Sequence, residues 1–133
     1  MNNGRNDNFF DNVPNIIKLL KAKGTKLSIV STKFRYRIEK ILAQHGLSEL
    51  FDIIVGGEDV LSPKPDPEGL NIAIERLQLH SSDVLYIGDS VTDAETARMA
   101  GIAFAAVLSG VTKREAFLNY SRCSIYEKLE DVF

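Results

Sequence analysis

Four short segments of this chain hold the residue types that handle a phosphoryl group. They are Ser31-Thr32-Lys33, Ser62-Pro63-Lys64-Pro65-Asp66-Pro67, Gly88-Asp89-Ser90-Val91-Thr92-Asp93 and Ser109-Gly110. Hydroxyls donate to phosphoryl oxygens, a fixed ammonium offsets their charge, and carboxylates are the hard oxygen ligands that Mg²⁺ takes. Each piece also has a plain structural reading. Ser90-x-x-Asp93 is a variant of the capping box, at a helix start where the dipole favours a carboxylate. Lys64 suits a solvated loop, Ser31-Thr32 suits a helix cap, and Gly88 suits a tight turn. The elements that precede the segments decide whether they meet.

Each segment follows a short apolar run. Lys26–Val30, Phe51–Val55, Val84–Ile87 and Ala103–Leu108 are nearly continuous in hydrophobicity and read as strands. Between them lie helical stripes. The first helix is marked by Val13, Ile16, Ile17, Leu19 and Leu20, with Asn12 as N-cap, Pro14 in the first turn and Gly24 at its end. Phe34–His45, Pro67–Leu77 and Thr92–Met99 follow, closed by Gly46 or Gly101 or opened by Asp66-Pro67. Thr112–Tyr120 and Glu127–Phe133 are expected as short helices. Strands alternating with helices predict a doubly wound parallel sheet in a three-layer α/β/α arrangement, with ligands bound outside the carboxyl ends of the strands. All four candidate segments fall on that edge.

The whole chain has 133 residues with net charge −2, 44% hydrophobic and 26% charged residues. These values fit one ordinary globular domain and argue against disorder. The charge balance gives no footing for nucleic acid. No apolar run approaches the roughly 20 residues of a membrane span, and the start lacks the apolar core of a signal peptide, so a cytoplasmic location is expected. Cys123 is the single cysteine and is expected to be an idle thiol. His45 and His80 are isolated in the sequence and are not expected to bind metal. Residues 1–8 read as a flexible tail and 9–133 as one core domain, with Phe9 and Phe10 docking the tail. Lys33, Arg35, Arg37 and Lys40 read as a solvated helix face, with a phosphate contact by Lys33 as the alternative.

Taken in order, the segments resemble the haloacid dehalogenase superfamily, and more narrowly its phosphoglycolate-phosphatase-like branch. LSIVSTK is similar to the family's second motif, SPKPDPEGL to its third, and VLYIGDSVTDAETARMAG to its fourth. The resemblance covers roughly residues 9 to 133. It implies a Mg²⁺-dependent phosphatase acting on a small phosphorylated metabolite. Ser31 would hydrogen-bond the transferring phosphoryl oxygen. Thr32, where relatives often have Asn, would contact substrate. Lys64 would neutralise the nucleophile and phosphoryl charge. Asp89 would ligate Mg²⁺, and Asp93 would hold the metal's water shell or position Lys64. Ser90 would cap the helix and face the site.

The same resemblance exposes a departure. The family's first motif is an Asp-x-Asp that closes an apolar strand, its first carboxylate being the nucleophile and its second the general acid and base. No Asp-x-Asp occurs in the sequence; Asp7 and Asp11 follow no apolar strand. The family's helical cap is also absent. The chain is therefore expected to be a truncated core, inactive alone, whose missing strand belongs between those carrying Ser31 and Asp89. The flanking strands would close up, a homo-oligomer would cover the edges, or a complementing N-terminal fragment would fill the place. A non-catalytic module for phosphate or metal binding, or for oligomerisation, is the alternative function. A response-regulator receiver would share the fold, but it needs an acidic pair after its first strand, where this chain has Ser31-Thr32.

Overall fold

The computed structural model describes residues 12–133. Asp7, Asp11, Phe9, Phe10 and the expected tail lie outside the described residues. Among the described residues there are five strands: β1 (Ser28–Val30), β2 (Ile53–Val55), β3 (Leu85–Gly88), β4 (Ala103–Val107) and β5 (Cys123–Tyr126). Alternating with them, the same described residues form four α-helices: α1 (Val13–Ala22), α2 (Arg35–Gln44), α3 (Glu68–Leu77) and α4 (Val91–Ala100). Every strand pairing is parallel.

Two faces are covered, as parallel sheets require. On one face, Ile38 and Leu42 of α2 form a buried cluster with Leu47, against which Ile17 of α1 and Ile29 and Ile54 of the sheet pack. On the other, Leu70 of α3 and Ala94 and Ala97 of α4 pack with Phe104, Ala106 and Phe117. Small residues let α3 and α4 lie close to the strands. Gly69 sits so near β1 that a Cβ there would come within 2.8 Å of Val30 Cγ1.

Among the described residues the sheet is not continuous: β1 pairs only with β2, and β3-β4-β5 forms a second sheet. A cleft of about 810 Å³ runs between the β1 and β3 edges. The flanking strands have not closed up. The fold is thus the doubly wound α/β arrangement expected, opened along its middle.

Three elements differ from expectation. Thr112–Tyr120 contains only a 3-10 turn, Arg114–Phe117, and the last segment only another, Leu129–Val132. Each is too short to nucleate an α-helix without a long apolar face, and Phe117 is the one buried residue of its turn. Between them lies β5, which sequence reading omitted. Asn12 does sit at the N-cap of α1, but its amide donates to Glu130 at 3.2 Å and caps nothing. None of the described helices is long and apolar enough to cross a membrane.

Candidate functional site

The carboxyl ends of β1 and β3, with the loop between β2 and α3, carry the candidate residues. At the end of β1, Ser31 N–H bonds Val55 C=O and Ser31 Oγ accepts from Lys33 N–H at 3.1 Å. The loop after β2 braces this turn. Gly57 N–H donates to Lys33 C=O at 2.8 Å, and a Cβ on Gly57 would stand 2.4 Å from Thr32 C=O, so only glycine allows that approach. Glu58 accepts from Arg35 N–H at 2.9 Å and supplies the α2 N-terminus with its carboxylate.

Lys64 stands in a turn held from both sides. Asp66 N–H donates to Pro63 C=O at 3.0 Å, and the Lys64–Pro65 peptide bond is cis. Glu68, in the first turn of α3, accepts from Leu61 and Ser62 N–H. Asp66 Oδ1 accepts from Glu68 N–H at 2.9 Å while Pro67 takes the N-cap position. The lysine stem is left facing a cavity of about 130 Å³ that Ser31, Thr32 and Ser62 also line.

Lys64 Nζ donates to Asp93 Oδ1 at 3.1 Å, with 15% of each side chain exposed. Asp93 is in turn fixed by α4. Ser90 Oγ accepts from Asp93 N–H at 3.1 Å and donates to Asp93 Oδ2 at 2.9 Å. Ser90 is therefore the N-cap of α4, with its hydroxyl on the carboxylate. Gly88 makes room: a Cβ there would lie 2.6 Å from Asp93 Oδ2. Burial works to raise the Asp93 carboxyl, but the Lys64 charge and the hydrogen bonds from Lys64, Ser90 and Tyr86 outweigh it, and the pKa falls below the ordinary carboxylate value.

Tyr86 belongs to this cluster and was missed in the sequence. Its hydroxyl donates to Asp93 Oδ1 at 3.1 Å, and Lys64 Nζ stands 5.3 Å from the centre of its ring. Burial, then the charges of Asp93 and Asp89, push its phenol far above the usual value, so it stays a donor. The available signal was a tyrosine inside an apolar strand, since a buried phenol needs a partner for its hydroxyl.

Asp89 stands apart from that cluster. It is exposed, and its Oδ2 lies 2.8 Å from where a Cβ on Gly110 would be, which sets it against the Ser109-Gly110 turn. Lys64, Asp93 and Ser90 are thus directly bonded, Ser31 and Thr32 share a cavity with Lys64, and Asp89 flanks them. Among the described residues, no three His, Cys, Asp or Glu side chains form a group able to hold a metal ion. Arg35, the first residue of α2, is tied to Asp59 at 2.6 Å, and Lys33, just before the helix, is exposed.

Comparison with known proteins gives one consistent answer. A family model described as haloacid dehalogenase-like hydrolase matches residues 1–107. The pyrophosphatase PpaX of Bacillus velezensis is 31% identical over 123 residues, covering 92% of this chain and 57% of its own length. A phosphoglycolate phosphatase of Cereibacter sphaeroides is 40% identical over 94 residues, 71% of this chain and 42% of its own. Among solved structures, one from Bacteroides fragilis described as a haloacid dehalogenase-like hydrolase shares 46% identity with a TM-score of 0.84, covering 88% of this chain and 56% of its own. A predicted phosphoglycolate phosphatase from Haemophilus somnus shares 26% identity with a TM-score of 0.81, covering 91% and 54%. This chain spans about half the length of the curated relatives it matches.

Proposed function

The chain belongs to the haloacid dehalogenase-like hydrolases, and we propose that it carries the charge-stabilising half of a Mg²⁺-dependent phosphomonoester hydrolase site. The observation behind this reading is the Lys64–Asp93 pair, braced by Ser90 and Tyr86 on the sheet edge that also bears Ser31, Thr32 and Asp89. The substrate class would be a small phosphorylated metabolite. Its support is the naming of relatives as phosphoglycolate phosphatase and pyrophosphatase.

In this reading Ser31 and Thr32 donate hydroxyls to phosphoryl oxygens, and Lys64 offsets their charge. Asp93 positions Lys64. Both of its oxygens are already engaged by protein donors, which supports that role over metal ligation. Mg²⁺ is ordinarily held by one or two carboxylates together with waters and phosphate oxygens. Asp89 fits that pattern, being exposed and free of any hydrogen bond that would occupy it in the Lys64 cluster. When bound, the ion would supply further charge neutralisation at the phosphoryl group.

No Asp-x-Asp lies in these 133 residues. The chain alone is therefore proposed to be silent in turnover, and a non-catalytic phosphate-binding role is the second reading, favoured by the same absence. The test is hydrolysis of p-nitrophenyl phosphate with and without Mg²⁺. The expected outcome is no rate above buffer. A Mg²⁺-dependent rate that disappears in Asp89→Asn would overturn the proposal, because a nucleophile would then be present.

A further inference from the structure

Phe34 follows Ser31-Thr32-Lys33 directly. By spacing it belongs with Ile38 and Leu42, since residues four apart share a helix face, and both of those are buried. The structure takes Phe34 off that stripe. It is the N-cap of α2, with φ −67° and ψ 150°, extended where the helical angles have yet to begin. The ring is 55% exposed.

A singly exposed apolar side chain is ordinary. The place of this one is not. Phe34 lines the same cavity as Ser31, Thr32 and Lys64, in an apolar part of the wall to which Val60 and Pro63 also belong. Its backbone is fixed, because Phe34 C=O accepts from Arg37 and Ile38 N–H at 3.0 and 3.3 Å. The loop after β2 holds the next residue through Arg35 N–H on Glu58. A Cβ on Gly57 would lie 3.3 Å from Phe34 Cδ1, so the ring rests beside the backbone of that loop. Much of the cost of ordering such a platform is met before any ligand arrives.

The cavity measures about 130 Å³, well under the roughly 300–1,000 Å³ of sites that enclose a whole organic ligand. A phosphoryl group held by Ser31, Thr32 and Lys64 would take much of that space. The rest of an ester would extend along the wall beside Phe34. A phenyl ring has no hydrogen bond to offer there, but it has a flat apolar face that favours another ring.

We infer that Phe34 is a specificity-determining residue, selecting phosphate monoesters whose organic group is aromatic and packing that ring against its own. The inference rests on the phosphoryl-site reading for where the phosphate lies; the choice of organic group rests on Phe34 alone.

The test titrates the full chain, with Mg²⁺ present, with inorganic phosphate, methyl phosphate and phenyl phosphate, and follows backbone amide shifts. All three should shift Ser31 and Thr32. Phenyl phosphate should bind about fivefold more tightly than methyl phosphate, the worth of one aromatic pair. It should also shift Gly57 and give nuclear Overhauser contacts from its ring to that of Phe34. The phenyl-to-methyl ratio should fall to about twofold or less in Phe34→Leu and be kept in Phe34→Tyr. Unchanged α2 amides in the free variants show that the fold is retained. Equal affinity for the two esters, with inorganic phosphate bound, would overturn this inference and leave the phosphoryl site standing. A ratio unchanged in Phe34→Leu would overturn it as well, since the preference would arise elsewhere. Silence with all three probes would overturn both readings together.

Discussion

Lys64 and Asp93 are neither a surface pair nor a sealed one, and that intermediate burial sets how much each depends on the other. A solvent-exposed ion pair contributes little, whereas removing one member of a buried pair leaves the other uncompensated. Lys64→Ala should therefore lower stability by about 1–3 kcal/mol, read from urea unfolding. Asp89→Asn, at an exposed carboxylate, should stay within about 0.5 kcal/mol of wild type. The Asp93 carboxyl titrates below its ordinary value in the fold and near about 3.9 when unfolded. The unfolded state thus binds the proton more readily, so the stabilisation is complete well above that value and fades as pH falls through the folded pKa. The gap in urea midpoint between wild type and Asp93→Asn should be widest near neutral pH and narrow below about pH 4. The residues of this cluster were legible because their types are unusual after apolar strands. Tyr86 was not, since a tyrosine in VLYI reads equally well as core, and only the fold places its hydroxyl on Asp93.

At the level of elements, the four apolar strands and four α-helices could be read from periodicity and from glycine and proline punctuation. Boundaries moved by a residue or two, as helix ends do. β5 escaped because Cys-Ser-Ile-Tyr offers neither a continuous apolar run nor strict alternation. Arg122, just before it, turns the chain at φ +56°, a conformation that no glycine announces. Position in the fold, beside β4, makes this segment a strand. The contact between α3 and β1 gives an element-scale prediction. Gly69→Ala would drive a methyl group into Val30, and overpacking of that kind costs about 1–3 kcal/mol. Thermal unfolding should show the loss, and pairing the change with Val30→Ala should recover part of it.

For the molecule as a whole, composition does not reveal the divided sheet; the lack of an Asp-x-Asp strand does point to a gap between the strands carrying Ser31 and Asp89. Apolar strands announce that they will be buried, but not that two of them will lack a neighbour. That depends on which strands the chain contains. The described residues keep a doubly wound fold and a formed Lys64–Asp93 cluster although β1 and β3 are not paired with each other. The bonded group spans that division, since Lys64 follows β2 while Ser90, Asp93 and the flanking Asp89 follow β3. They sit at the carboxyl ends of strands from two different sheets. Completing the sheet would fix the spacing between those halves.

The central claim is that these strand ends form a phosphoryl-binding site served by Mg²⁺. Its most direct measurement is a titration of the chain with inorganic phosphate and Mg²⁺ at millimolar concentration, followed by backbone amide shifts in wild type and Asp89→Asn. The account predicts saturable shifts at Ser31, Thr32 and Gly88–Ser90 that need both ions in wild type, with the Mg²⁺-dependent part lost in Asp89→Asn. Silence at those amides, or shifts identical in the variant, would contradict it.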